Sequence, residues 1–170
     1  DNGTTWSEPQ YIDEEFVYSK FDKSAYGPIR GWFIGSGKIC QSTKTKVNKY
    51  RRLYLVGSSC RQGSNETANW VLYSDDFGET WEFLGGCDVS PMPNGDEPKA
   101  EELPDGSVLL SSRCNGGRRF NIFTFTDTKK AEGSWGEVAF SGQSNNGVTA
   151  LNNACNGEVM LVPVTRKKDN

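Results

Sequence analysis

Three glutamates and three arginines crowd one short stretch of this chain. Glu97, Glu101 and Glu102 precede a Pro104-Asp105-Gly106 turn, and Arg113, Arg118 and Arg119 follow it. A carboxylate can act as a general base or as a nucleophile. A guanidinium binds a carboxylate through two parallel hydrogen bonds and keeps its charge, so Lys is a poor replacement. The chain has no histidine. That excludes Ser-His-Asp and Cys-His catalysis and the His-containing zinc sites. Chemistry here has to come from carboxylates, Arg, Tyr, Ser, Lys or Cys. Spacing by itself reads Glu97 as an exposed turn carboxylate and Arg118 and Arg119 as solvated loop charge. Glu97 and Glu101 share strand parity, so alternation does not choose between them, and Pro98 interrupts the register.

The elements that must hold these residues read as strands and turns. Strand-like runs occur at 51–57, 69–74, 81–84, 99–103, 107–113, 120–126 and 159–164. Pro-Asp-Gly between two of them predicts a hairpin turn. The 69–74 run leads into Ser74-Asp75-Asp76-Phe77-Gly78-Glu79-Thr80-Trp81, which has the form Ser-x-Asp-x-Gly-x-x-Trp, an Asp box. Its Asp carboxylate accepts backbone N–H groups of its own turn. Its Gly permits a positive φ, and its Trp anchors the turn on neighbouring strands. Ser74, Asp76, Gly78 and Trp81 are therefore structural. A second copy, Asp1-Asn2-Gly3-Thr4-Thr5-Trp6, opens the chain, with Asp1, Gly3 and Trp6 in the same roles. A third, degenerate copy runs from Asp127 to Trp135, with an Asp-to-Trp spacing of 8 in place of five. No convincing amphipathic helix is visible; residues 128–132 are the best candidate.

Repeats of this kind point to a β-propeller, whose four-stranded blades take roughly 40–50 residues each. The interval from Asp76 to Asp127 fits one blade, and the longer one from Asp1 to Asp76 fits a blade plus an insertion near 13–30. The reading is all-β: about three blades of a propeller that closes with ~4–8. The chain is thus expected to be an internal piece of something longer.

The bulk properties narrow the classes. Net charge is -3 and mean hydropathy is -0.65, with neither the basic stripe of a nucleic-acid binder nor an apolar run of membrane-spanning length. Cys40, Cys60, Cys87, Cys114 and Cys155 form no Cys-x-x-Cys pair, which argues against zinc. They read first as small buried hydrophobes, with one disulfide open if the protein is exported.

A resemblance adds to this. Residues 95–113, from Gly95-Asp96-Glu97-Pro98-Lys99 to Ser111-Ser112-Arg113, resemble the central catalytic segment of bacterial sialidases (neuraminidases). The 120–127 run, Gly35-Ser36-Gly37-Lys38-Ile39-Cys40-Gln41, and Asn153-Ala154-Cys155-Asn156-Gly157-Glu158 are similar to flanking stretches of that family. The resemblance implies a six-bladed β-propeller that hydrolyses terminal α-linked sialic acids with retention. It also implies a Tyr nucleophile, an exception to the two-carboxylate scheme, an acid/base Asp, and an Arg triad for the sialic acid carboxylate. It implies neither metal nor cofactor. Glu97 matches the Glu that activates the Tyr, with Glu101 in reserve, and Arg113 matches the second Arg. Ser36 and Gln41 match loop residues that wall the site. Sialylated glycoconjugates are the implied partners, and the implied location is secreted, periplasmic or cell-surface. On this resemblance the first Arg and the Asp precede Asp1, and the Tyr and third Arg follow Asn170, so the isolated chain is expected to be inactive. Two other readings stand beside it: a non-catalytic Asp-box segment that binds glycans or proteins, and a glycosidase of other specificity.

Overall fold

Residues 52–59 and 68–74 are buried at nearly every position, polar ones included, as in strands covered on both faces. The computed structural model, which describes residues 3–6, 8–9, 14–114, 117–140 and 156–165, shows why. These strands form the middle of one antiparallel sheet, with a helix on one face and a second sheet on the other.

The helix α1 spans Glu14–Asp22. The first sheet contains β1 (Ile29–Ile34), β2 (Cys40–Val47), β3 (Tyr50–Arg61), β4 (Thr67–Ser74), β5 (Glu82–Phe83) and β6 (Met92–Pro93). The twelve-residue β3 is long enough to divide its outer edge: β2 pairs with one half and β1 with the other. The second sheet contains β7 (Pro98–Glu102), β8 (Val108–Cys114), β9 (Gly117–Asp127), β10 (Glu132–Trp135) and β11 (Ala139–Phe140), in the order β10-β9-β8-β7 with β11 also on β9. The all-β expectation therefore holds, as two antiparallel sheets. In each sheet an Asp-box segment joins the third and fourth strands of the meander, β4 to β5 and β9 to β10.

Alternation along β3 and β4 feeds two cores. Tyr54, Val56 and Val71 face the second sheet and pack with Ala100, Val108, Leu110 and Phe123. Leu55, Trp70 and Leu72 face the helix and pack with Val17, Phe21 and Phe83. Phe21 meets Trp70 edge-on at 4.9 Å and Phe83 at 5.2 Å. Burying each such side chain contributes roughly 1.5–3 kcal/mol.

The helix corrects the sequence expectation. Its segment reads EEFVYSKFD, in which only Val17 and Phe21 repeat at helical spacing on the fully buried side. Phe16 and Tyr18 blur that stripe, and aromatic and β-branched residues are weak helix formers. Contact with the first sheet, rather than propensity, makes this segment helical. The helix falls within the 13–30 segment. The candidate at 128–132 is instead a turn running into β10. A second correction concerns 159–164: the run is apolar, yet it is not a strand, and Met160, Val162 and Val164 are 69%, 55% and 86% exposed. It pairs with no strand among the described residues, and Pro163 has no N–H to give a ladder.

Candidate functional site

Strand register gathers the charged residues. β7 and β8 form a hairpin through the 104–106 turn, where Gly106 has φ +89° and Asp105 accepts hydrogen bonds from the Ser107 N–H and hydroxyl. Across it Lys99 faces Ser111, and β9 sets Arg118 opposite Arg113. Directly opposed residues share a face, and alternate residues along a strand share it too. Glu97, Lys99, Glu101, Ser111, Arg113 and Arg118 thus lie on one polar face, while Ala100, Leu110 and Phe123 lie on the other, in the core.

Glu97 and Arg113 meet here. The Arg113 guanidinium donates to Glu97 Oε2 at 2.9 Å and stands 3.2 Å from Asp96 Oδ2. The backbones pair as well: Arg113 N–H donates to Glu97 C=O at 3.2 Å, and Asp96 N–H donates to Arg113 C=O at 3.0 Å. Glu97 and Arg113 are each about a third exposed, so the pair is open to solvent on one side.

Residues that sequence reasoning passed over fix this turn. The Asp96 carbonyl accepts from Asn69 Nδ2 at 2.7 Å and from the Ser58 hydroxyl at 2.8 Å. The Asn69 Oδ1 takes the Ser112 hydroxyl. Asn69, Ser58 and Ser112 are fully buried, and they tie β3, β4 and β8 to the segment carrying Glu97. Gly95 makes room for this network, because a Cβ there would lie 2.0 Å from Asn69 Oδ1. Nothing marks Asn69 in the sequence except a polar residue inside an apolar strand. That is a usable signal, since a buried polar group must find partners.

The other glutamates are engaged elsewhere. Glu101 pairs with Lys38, whose pKa is raised by that hydrogen bond, and it also lies against the Cys40 thiol. Burial pushes the Cys40 thiol up to about 11. Glu102 is buried and accepts from the Ser42 and Thr43 hydroxyls and from the Thr43 and Lys44 N–H groups, which fastens β2 to β7. Parity left Glu97 and Glu101 equivalent; tertiary partners separate them.

Ser36 joins the polar face and Gln41 does not. The Ser36 hydroxyl accepts from Lys99 Nζ at 3.2 Å and from Asn156 Nδ2 at 2.5 Å. Gln41 is exposed on β2 opposite Leu53, on the strand face away from Cys40. Arg118 is not solvated loop charge: it is half-buried on β9, it donates from Nε to Ser111 at 3.0 Å, and burial lowers its pKa. Arg119 extends the other way and donates to Pro93 C=O at 3.1 Å.

The 74–81 Asp box is built as its residues demand. Asp76 accepts from Thr80 N–H at 2.9 Å and from the Thr80 hydroxyl at 2.6 Å, and Ser74 Oγ accepts from Gly78 N–H at 2.8 Å. Burial pushes the Asp76 carboxyl up, but the Thr80 and Ser74 hydrogen bonds together hold it below the usual carboxylate range. Gly78 has φ +95° and Gly3 has φ +82°, and in each the following Trp lies against the glycine. Asp1 lies outside the described residues, as does Cys155; Cys40, Cys60, Cys87 and Cys114 are free thiols.

Arg52 is the other residue the sequence did not single out. Its fully buried side chain grips Asp75 with Nε at 2.7 Å and Nη2 at 2.8 Å, and it also donates to the carbonyls of Thr128 and Lys129. It lies 4.9 Å from the Tyr73 ring centre and 5.7 Å from that of Phe125. Burial opposes its charge, but Asp75 outweighs it and raises its pKa. Arg52 thereby ties the two Asp-box segments of the two sheets together.

No protein-family model matches this chain, and no solved structure matches it. Among the described residues no helix is long and apolar enough to cross a membrane.

Proposed function

We propose that this chain is part of the catalytic β-propeller of a retaining exo-α-sialidase. The observation that carries the reading is the Glu97–Arg113 pair, held at 2.9 Å on an open polar face. In this reading Arg113 turns from Glu97 to the carboxylate of a terminal sialic acid, through bidentate hydrogen bonds. Glu97 then accepts the proton of a Tyr phenol as the phenol oxygen attacks the anomeric carbon and the glycosidic C–O bond breaks, the departing aglycone oxygen taking a proton from the acid/base Asp of the parent protein. A phenol, with a pKa of about 10, needs such a base near neutral pH. A neutral nucleophile also avoids the repulsion that a carboxylate nucleophile meets from an anionic substrate. The remaining groups of the scheme come from the parent protein, and the two meanders correspond to blades. An exported parent suits glycoconjugate substrates.

The test is turnover of a fluorogenic α-sialoside by the full-length protein. Arg113→Ala should lower kcat/KM by at least about 100-fold, in line with the loss of a charge-assisted contact made to the reacting substrate. Glu97→Gln should cut kcat more than it changes KM. A full-length protein that neither binds nor turns over sialosides would overturn the reading.

A second reading has its own observation: Arg113 is already engaged by Glu97 and Asp96. An ion pair already made is what a non-catalytic Asp-box scaffold would carry. Under that reading Arg113→Ala lowers stability and leaves sialoside binding unaffected.

A further inference from the structure

Lysine is almost never fully buried without a counter-ion, because an unpaired charge away from water is costly. Lys99 is 4% exposed. Among the described residues its ammonium has one hydrogen-bond partner, the neutral Ser36 hydroxyl at 3.2 Å, and no carboxylate in ion-pair contact. Two of the carboxylates around it are committed elsewhere. Glu97, two residues before it on the same face, is held by Arg113, and Glu101, two residues after it, is held by Lys38. Glu158 lies across Gly37, where a Cβ would fall 2.8 Å from both Glu158 Oε2 and Lys99 Nζ, but it does not reach the ammonium as an ion pair. Gly37, at φ +123°, lets the loop lie directly on Lys99.

Two guanidiniums share this face with Lys99 and the glutamates. Ser111, opposite Lys99, receives the Arg118 Nε–H, and Arg118 stands opposite Arg113. An ammonium buried with only a neutral hydroxyl as partner becomes more favourable when an anion sits on it.

We propose that Lys99, with the Ser36 hydroxyl and the Arg118 side of Ser111, forms an oxyanion subsite beside the Glu97–Arg113 pair. Its ligand class is a carboxylate or sulfate group. The ammonium supplies the charge and its remaining N–H donors, and the 35–37 loop covers it. The subsite rests on the burial of Lys99 and is independent of the sialidase reading.

Thermal unfolding of the full chain in low-millimolar sulfate or N-acetylneuraminate, against chloride at equal ionic strength, tests this. The wild type should gain several degrees in Tm from at least one of the two anions, by mass action on the folded state. Lys99→Met should remove most of that gain while being no less stable in chloride, because it deletes a buried charge; Lys99→Arg should retain it. Wild-type amide shifts in nuclear magnetic resonance, which need no variant, should move at Ser36, Lys99 and Ser111. A response to both anions supports a general oxyanion subsite, and one to N-acetylneuraminate alone supports a sugar-acid subsite. Response to sulfate alone supports the subsite and counts against the sialidase reading. Absence of any response beyond chloride, unmoved amides, or a full response in Lys99→Met overturns the proposal.

Discussion

The turn at 74–81 and the turn at 127–135 start from related motifs and finish with different duties. In both, the Asp carboxylate accepts N–H groups of its own turn: Asp76 from Thr80, and Asp127 from Lys129 and Lys130. For Asp127 the Lys130 N–H is the main cause of a lowered pKa, which desolvation opposes. Positive φ falls on Phe77 and Gly78 in the first turn and on Ala131 in the second. The tryptophans diverge. Trp81 donates its indole N–H to Gly78 within its own turn, at 3.1 Å. Trp135 donates to Leu84 in the other sheet, at 2.8 Å, and packs edge-on against Phe123. The three extra residues between Asp127 and Trp135 free the second Trp from its turn and let it bridge the sheets. Arg52 completes the connection by holding Asp75 of one turn and the Thr128 and Lys129 carbonyls of the other. The carboxylate's job is set by local sequence, whereas the job of the Trp depends on what lies beside it.

Removing the shared clamp should have the largest effect. Asp75→Ala leaves the Arg52 charge buried and uncompensated, and should destabilise the chain by about 3–5 kcal/mol in urea unfolding. A loss below about 1 kcal/mol would show that the two turns are independent.

Tryptophan truncation separates local geometry from packing. Gly3–Trp6 and Gly78–Trp81 have the same glycine–indole contact, yet Trp6 is 88% exposed and Trp81 only 9%. Trp81→Ala should therefore cost about 3–5 kcal/mol. The same change at Trp6 should stay within about 0.5 kcal/mol. Comparable losses at both sites would refute the view that packing decides the value of the box.

Replacing each indole by a benzene ring sharpens the contrast. Trp135→Phe leaves the Leu84 carbonyl without its indole donor and should cost about 1 kcal/mol beyond any packing loss. Restoration of that amount by a nearby donor, or its absence, is readable from denaturant midpoints.

The smallest effect concerns protons. Asp76 has a folded pKa below its unfolded value near 3.9, so its hydrogen bonds stabilise the fold above that pH. That contribution disappears as pH falls through the folded pKa. The stability gap between wild type and Asp76→Asn should be constant from neutral pH to about pH 5 and should close at lower pH; a gap that widens on acidification would contradict this sign.

Much of the scaffold was legible because its signals are local. The Pro-Asp-Gly turn, the Ser-x-Asp-x-Gly-x-x-Trp box and the strand runs at β3, β4, β8 and β9 depend on backbone chemistry within a few residues. The helix α1 was hidden because its stability comes from Val17 and Phe21 entering an aromatic core built partly by residues more than sixty positions away, such as Phe83. The 159–164 run misled because an apolar stretch states only that burial is favourable, not that a pairing edge is in reach. At the candidate site the sequence offered Glu97, Arg113 and Ser36, but it offered Gln41 as well, and it gave no weight to Lys99, Asn69 or Arg52.

What the sequence determined by itself is the chemistry in supply and the local turns. It has no imidazole, it has carboxylates and guanidiniums flanking one hairpin, and it has carboxylate-capped turns at 74–81 and 127–135. Only the tertiary structure decided which charges meet. Register put Glu97 on Arg113 and sent Glu101 to Lys38, and the fold buried Lys99 under Ser36 and Arg52 between the two turns. The reason is physical: a turn's hydrogen bonds are satisfied within four residues, whereas the partner of a charged side chain depends on sheet register and on desolvation, which many distant residues set together.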